Sequence, residues 1–258
     1  MTEPSLPTPL MMRKHAKEFW GQAYPVKKHR RNALIVIRVL RKKALTGDKG
    51  VWKELNDYGK LAGDVTGSKI KQALRKYLVS QQGHECCYCR RWLLSNAYAS
   101  PIEHVLPRDA YPEFALHFWN LAVACTACNS AKTADDWATF SPPYVTYPAP
   151  EDTGHFFHPR FHQYNEHVKF VRMETNDVKL IAYIGITPQG KHLCSNLLSK
   201  VVGKEQLYRN TPVLTEFEGL MRDYDTSADA PDRPALQAFQ EALQGMVGER
   251  VKDGTREP

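Results

Sequence analysis

Apolar residues recur at helical spacing through the first third of the chain. Residues 28–45 carry an apolar centre at 33–37 flanked by basic residues, which predicts a helix, although the β-branched residues leave a strand open. Further helices are predicted near residues 51–62 and 68–82, the second with Ser68 as its N-cap. We interpret that second helix as a support for the segment that follows it.

The pattern changes twice further along the chain. Alternating apolar residues predict two strands at 168–173 and 178–186, and helical spacing returns over 192–224. Residues 1–12 carry three prolines and little pattern, so we predict a mobile arm there. Residues 225–234 are typical of a linker, and a short helix is predicted after them.

These patterns predict an α+β protein with four regions. They are a basic, mainly helical N-terminal region (1–82), a central region with most of the candidate chemistry (83–140), a mixed C-terminal region packed on it (141–224), and a linker with a short helix and tail (225–258).

Composition narrows the class of protein. The 258 residues are 42% hydrophobic and 24% charged, which is typical of a globular chain and excludes fibrous and wholly disordered classes. No apolar run is long enough to span a membrane, and the N-terminus lacks a secretory pattern, so we expect a cytoplasmic protein. Its cysteines are then expected to be reduced, catalytic or metal-bound.

The positive charge is concentrated in one region. Residues 1–82 hold 18 Lys and Arg against 6 Asp and Glu, a net charge of +12, within a chain whose total is +7. Residues 83–150 carry −2 and residues 151–258 carry −3. Such asymmetry indicates an anionic partner, nucleic acid above all, although a solvated basic face is the alternative. The candidate nucleic-acid-binding residues are Lys27, Lys28, Arg30, Arg31, Arg41, Lys42 and Lys43.

Four of the six cysteines form two Cys-x-x-Cys pairs, Cys86 with Cys89 and Cys125 with Cys128. Each pair can place two thiolates on one ion from a tight turn, and two pairs complete a tetrahedral structural zinc site. Cys87 lies inside the first pair and is a competing ligand, but Cys86 gives matched spacing in both pairs.

The insert between the cysteine pairs carries the remaining candidate chemistry. It contains Glu103-His104-x-x-Pro107, then Asn120 before a short apolar strand, and the second pair continues into Asn129 and Lys132. A carboxylate beside a histidine, with two asparagines and a lysine after it, indicates a catalytic constellation rather than a lone structural histidine.

These motifs resemble the HNH endonucleases of the ββα-metal type, over about residues 84–137. Asn129 stands where many members have the final His, as in the H-N-N version, and Glu103 stands where Asp is commoner. The resemblance implies a strand ending at residues 103–104, a second strand at 121–124 and a helix at 126–137.

The resemblance also implies a role for each residue. Glu103 and Asn129 would hold a catalytic Mg²⁺ or Mn²⁺, and His104 would act as general base on the attacking water. Asn120 would brace the loop that orients the histidine. Lys132 would either contact the scissile phosphate or be a solvated helix lysine.

Flanking residues carry a narrower resemblance. Residues 110–114 (Ala-Tyr-Pro-Glu-Phe), 157–161 (Phe-His-Pro-Arg-Phe) and 166–170 (Glu-His-Val-Lys-Phe) are similar to the HNH proteins of bacterial anti-phage systems, in particular the HNH subunit of Septu-like systems. This implies an effector nuclease that works with an ATPase partner.

Two alternatives stay open on the sequence. The same site could cleave RNA, for example a tRNA, instead of the favoured DNA. The chain could also be a zinc-stabilised nucleic-acid-binding adaptor without catalysis. A cluster of four histidines (His155, His158, His162, His167) is expected to line a surface or a partner contact rather than a second metal site.

Overall fold

The computed structural model describes residues 6–59, 65–93, 100–133, 137, 146–174 and 179–201. The chain divides into two compact units, residues 1–204 and 205–258. The second unit lies outside the described residues, and with it the predicted linker and C-terminal helix. Among the helices that the structure describes, none combines the length and the apolar character needed to cross a bilayer.

The described elements confirm a mixed α+β architecture. The α-helices are α1 (Pro9–Ala23), α2 (Lys27–Leu45), α3 (Val51–Asp57), α4 (Gly67–Gln81), α5 (Thr126–Lys132), α6 (Tyr164–His167) and α7 (Pro188–Leu193). The strands are β1 (Ile102–His104), β2 (Leu121–Val123), β3 (Val168–Glu174) and β4 (Lys179–Gly185). The strands form two antiparallel two-stranded sheets, β1 with β2 and β3 with β4.

The predicted N-terminal helices are present, and α3 ends at Asp57, before the predicted residue 62. The mobile arm predicted for residues 1–12 is wrong from Pro9 onward, because α1 begins there with the Thr8 hydroxyl accepting from Met11 N. Proline at the first helical position was a signal that could have found this start. The helix predicted at 28–45 is confirmed as α2, and its buried residues fall on one face.

The helices α3 and α4 meet at unusually close range. A Cβ on Gly67 would lie 1.4 Å from the Leu55 carbonyl oxygen, so only glycine allows α4 to begin against the backbone of α3. The N-cap of α4 is Thr66, not the predicted Ser68, since the Thr66 hydroxyl accepts from Lys69 N. This approach brings the last turn of α3 against the first turn of α4.

The antiparallel pair β1–β2 and the helix α5 follow one another along the chain. Glu103 pairs with Ala122 and His104 pairs with Leu121. The backbone of Val123 in β2 also pairs with the side-chain amide of Gln82, which donates to Val123 O and accepts from Val123 N, both at 2.8 Å. The helix α5 ends at Lys132, earlier than the predicted residue 137, because Thr133 adopts a positive φ of 53°.

The predicted C-terminal strands are confirmed as β3 and β4, which pair over seven residues from Val168↔Gly185 to Glu174↔Lys179. The main apolar core joins α4, the cysteine-bearing turns, β2 and the π-helical turn Cys194–Leu198. A second core lies between α2, α3 and α4.

Candidate functional site

The two Cys-x-x-Cys turns come together on one side of the β1–β2 pair. The first turn folds back on itself, with Cys86 N donating to Arg91 O and Arg90 adopting a positive φ of 55°. In the second, Cys125 is the N-cap of α5 and Cys128 lies in its first turn. Cys125 N donates to Cys86 Sγ at 3.2 Å, which ties the two turns to each other.

The four thiols have the geometry of a zinc site. The sulfurs of Cys86, Cys89, Cys125 and Cys128 all lie within 4.8 Å of one another and are buried. A tetrahedron with Zn–S bonds of about 2.3 Å separates its sulfurs by about 3.8 Å. The Sγ atoms of Cys89 and Cys125 are 3.7 Å apart. The donor set therefore fits zinc, and it leaves no ligand position open.

The choice of Cys86 over Cys87 is confirmed, since Cys87 is not part of this cluster. Burial opposes ionisation of the Cys86 thiol, but hydrogen bonds from the neighbouring thiols outweigh it and lower its pKa. Cys87 shows the reverse, because burial and its negative neighbours raise its pKa. Among the described residues, these four cysteines form the one cluster of His, Cys, Asp or Glu side chains whose ligand atoms lie close enough together to hold a metal ion.

Glu103 lies at the centre of β1 and is buried towards α5. The Nζ atom of Lys132 is 2.9 Å from Glu103 Oε1. Lys132 is 1% exposed, so the alternative of a solvated helix lysine is wrong. Burial raises the pKa of Glu103, and the Lys132 ammonium opposes that shift. Glu103 and Lys132 therefore form a buried ion pair, in which the ammonium offsets part of the effect of burial on the carboxylate.

Asn129 lies three residues before Lys132 in α5 and is partly exposed. Residues three apart share one side of a helix, so Asn129 lies on the side whose Lys132 reaches Glu103. Carboxylate and amide oxygens are the ligands that Mg²⁺ prefers. Their chemistry and their placement on facing elements fit the divalent ion that the resemblance implies.

His104 follows Glu103 and faces a different environment, because successive strand residues point to opposite faces. Its ring packs edge-on against Trp52 of α3, with 4.6 Å between ring centres. Its Nε2 lies 3.0 Å from Ala115 O. Since a carbonyl oxygen only accepts, Nε2 carries the ring proton and Nδ1 keeps the lone pair.

The electrostatics keep His104 neutral. Burial lowers the pKa of His104 to about 3, and the charges of Arg108, Lys132 and Lys71 act in the same direction. The hydrogen bond to Ala115 O opposes the shift without reversing it. An unprotonated imidazole at neutral pH can accept a proton, which is what a general base must do.

Asn120 is fully buried and holds the loop after His104. Its Oδ1 accepts from Leu106 N at 2.7 Å, and its Nδ2 donates to Leu106 O and Phe114 O. The Tyr147 hydroxyl lies 3.5 Å from the same Oδ1 and 2.7 Å from His158 Nε2. The contacts therefore extend from the loop of His104 through Asn120 and Tyr147 to His158.

The seven candidate nucleic-acid-binding residues of α2 divide into two groups. Arg30 is engaged with backbone carbonyls, with its Nε donating to Tyr24 O and its Nη2 to Pro25 O. Lys43 forms an ion pair with Glu54. The others project from the helix as exposed side chains: Lys27, Lys28, Arg31, Arg41 and Lys42. These five remain candidates for contact with an anionic partner.

The histidines of the C-terminal region are not surface residues, with one exception. His158, His162 and His167 are buried, so the expected surface or partner role is wrong for them. They bond to one another and to hydroxyls: His158 N donates to His162 Nδ1 at 2.9 Å, and His167 Nδ1 lies 2.7 Å from Thr187 Oγ1. Only His155 of the four is exposed in the described structure.

Sequence reasoning missed four residues around His104 and Asn120: Trp52, Lys71, Arg108 and Tyr147. Each is distant along the chain from the motif, or lies beside it without a recognisable spacing. Their roles follow only from the packing of α3 and α4 and from the Tyr147 contacts.

Comparison with known proteins gives one distant relative. The chain is 28% identical to the Septu protein PtuB of Bacillus thuringiensis over 88 residues, which is 33% of this chain. The match spans 34% of the relative's length. No protein-family model matches the chain, and no solved structure matches it either.

Proposed function

We propose that this protein is a metal-dependent HNH endonuclease that hydrolyses phosphodiester bonds in nucleic acid, with DNA as the favoured substrate. The observation that carries the proposal is the placement of His104 at the end of β1, where its Nε2–H donates to Ala115 O and leaves the Nδ1 lone pair for a proton. His104 lies next to Glu103, whose buried carboxylate pairs with Lys132 of α5. The four-cysteine cluster joins the turn before β1 to the start of α5.

His104 acts as the general base. Its Nδ1 lone pair accepts the proton of the attacking water, while the Nε2–H bond to Ala115 O fixes the ring and favours the positive form that results. Asn120 takes no part in proton transfer. It acts through His104, because its side chain bonds to the backbone N and O of Leu106 and so holds the loop that follows His104.

Glu103 and Asn129 would hold a Mg²⁺ or Mn²⁺ ion. Such an ion supplies Lewis-acid stabilisation of the negative charge that develops on the phosphate and the leaving oxygen. Lys132, 2.9 Å from Glu103 Oε1, favours the ionised form of that carboxylate and opposes the effect of burial. A direct contact of Lys132 with the scissile phosphate stays a prediction, because its ammonium is directed at Glu103.

We further propose that the nuclease serves anti-phage defence together with an ATPase partner. The similarity to the Septu protein PtuB over 88 residues supports the defence role. The ATPase partner rests on the resemblance of the flanking residues to the HNH subunit of Septu-like systems. The exposed basic residues of α2 offer a surface for nucleic acid or for an acidic partner.

The deciding experiment compares wild type with His104→Ala on plasmid DNA and on total RNA, with Mg²⁺ or Mn²⁺. Loss of a general base lowers cleavage by about 10²–10⁴-fold. The matched control is His155→Ala, since His155 is exposed and outside the proposed site. Equal cleavage by wild type and His104→Ala would reject the mechanism. Cleavage of RNA alone would assign the substrate to the alternative class, and nucleic-acid binding without cleavage would favour the adaptor.

A further inference from the structure

The side of His104 that faces away from α5 carries a second set of charges. Trp52 of α3 packs edge-on against the His104 ring, and the Nζ atom of Lys71 lies 4.0 Å from the centre of the same Trp52 ring. Lys71 Nζ also donates to Trp52 O. One tryptophan thus holds a lysine of α4 next to the proposed base.

Two guanidinium groups add to this charge. Arg108 follows Pro107 of the histidine motif and is exposed, and Arg75 lies one turn after Lys71 in α4. Arg75 Nε donates to Ser100 O at 2.9 Å, which places its guanidinium group beside the segment that precedes β1. Lys71, Arg75 and Arg108 form no salt bridge with a carboxylate in the described part of the chain.

The positive charges are close enough to repel one another. Burial, together with the charges of Arg108 and Arg75, lowers the pKa of Lys71 to about 8, while Asp57 partly opposes the shift. Arg108 and Lys71 both act on His104 in the same sense. A region with this excess of positive charge is stabilised when an anion enters it.

We propose that Lys71 and Arg108, backed by Arg75, form a phosphate-binding group beside His104 that receives the backbone phosphates of a nucleic-acid substrate. The inference rests on the proposed function and adds the residues that place the phosphodiester against the base. Lysine and arginine contacts to phosphates supply affinity that does not depend on base sequence.

This group is distinct from the basic residues of α2. Lys71 and Arg75 lie in α4, and Arg108 lies in the segment after β1. Trp52 links Lys71 to the His104 ring, because it contacts both. We therefore assign the phosphates next to the base to α4 and the segment after β1.

The test measures binding separately from cleavage. In a His104→Ala background, which prevents cutting, a short fluorescein-labelled DNA duplex and a matching RNA are titrated by anisotropy over a range of salt concentrations. Lys71→Gln and Arg108→Gln are each expected to weaken binding about tenfold and to reduce the salt slope by about 0.9 for each lost phosphate contact. Lys69→Gln and Lys76→Gln are the controls, because both are exposed lysines of the same helix; each should change affinity less than either test variant.

The outcomes separate the two proposals. If wild type cleaves nucleic acid, but Lys71→Gln and Arg108→Gln bind like the controls in the His104→Ala background and cleave like them in the wild-type background, the phosphate-binding group is refuted and the nuclease stands. If wild type cleaves nothing while both variants bind more weakly than the controls, the nuclease fails and the phosphate-binding group stands. Absence of any binding by the His104→Ala protein overturns the inference. Arg108 is exposed, so its variant serves if Lys71→Gln does not fold.

Discussion

The two candidate centres share the β1–β2–α5 frame but are built in different ways. The cysteine cluster takes four identical ligands from two short turns, and all four are buried. The His104 centre takes its groups from α3, α4, β1, the segment around residues 108–115 and α5. The first is closed and uniform, whereas the second is charged, heterogeneous and partly exposed.

This difference separates a centre suited to stability from one suited to the proposed chemistry. A four-thiolate site lowers the free energy of the folded chain and leaves no position for a substrate. The His104 centre instead buries an imidazole and a carboxylate among positive charges, and the pKa values of both groups are shifted. Perturbed groups of this kind are concentrated at functional sites.

The largest expected effect is loss of the cysteine centre. Removal of zinc by a strong chelator, or Cys128→Ser, should abolish cooperative unfolding, because a structural zinc site contributes about 10 kcal/mol or more. Calorimetry with a zinc assay measures this. Cys194→Ser is the control, since Cys194 lies outside the cluster. Intact thermal stability after confirmed zinc loss would refute the role, and Mg²⁺ depletion should stop cleavage only.

The next largest effect is expected at the buried ion pair. Lys132→Met leaves the Glu103 carboxylate buried without its partner, which costs about 3–5 kcal/mol of unfolding free energy. Adding Glu103→Gln should recover part of that loss. Urea denaturation of the single and double variants measures the coupling between the two residues.

The control for the ion pair is Lys14→Met. Lys14 pairs with Glu18 across one turn of α1, where both side chains are exposed, so its loss should cost less than about 1 kcal/mol. A Lys132→Met variant as stable as Lys14→Met would mean that the charge pair does not lower the free energy of the fold.

Mild acid should destabilise the fold through its buried histidines, including His117 and His162. Burial lowers the pKa values of His117 and His162 to about 4, below the usual 6.5. Their contribution to stability is therefore complete above pH 6.5 and is lost as the pH falls towards 4. Each of these histidines makes unfolding easier by about 1.4 kcal/mol per pH unit within that window.

Urea denaturation between pH 7.5 and 4.5, at pH values where zinc stays bound, measures this slope. His162→Asn should reduce it, because the variant lacks one of the protons that the unfolded chain takes up. An unchanged slope in that variant would show that His162 is protonated in the fold. The cysteine centre, by contrast, should respond to acid only through release of its zinc.

The sequence predicted the cysteine centre well because its information is local. The spacing within Cys86–Cys89 and Cys125–Cys128 selects the four ligands, and alternation and helical spacing located α2, β3 and β4 within a few residues. The early end of α5 was not predictable in this way, because it depends on the backbone conformation of Thr133.

The surroundings of His104 were not predictable for a different physical reason. The close approach at Gly67 is what places Trp52 and Lys71 beside His104, and neither residue has a fixed spacing from the motif. Burial of Lys132 and His158 depends on tertiary packing in the same way, since both residue types are more often exposed. The sequence predicted candidate site residues, but it did not predict which residues surround them in the fold.

The smallest expected effect comes from removing one tyrosine hydroxyl near each centre. Tyr147→Phe removes the bond to His158 and the contact with Asn120, whereas Tyr183→Phe removes a bond of 2.6 Å to Cys89 O beside the cysteine cluster. Each variant should lose about 1 kcal/mol of stability. Only Tyr147→Phe should also lower the cleavage rate, by a few-fold, because Asn120 then holds the loop after His104 less firmly. Rates and urea midpoints measured side by side test this. A fall in cleavage for Tyr183→Phe as large as that for Tyr147→Phe would mean that the two centres act as one cooperative unit.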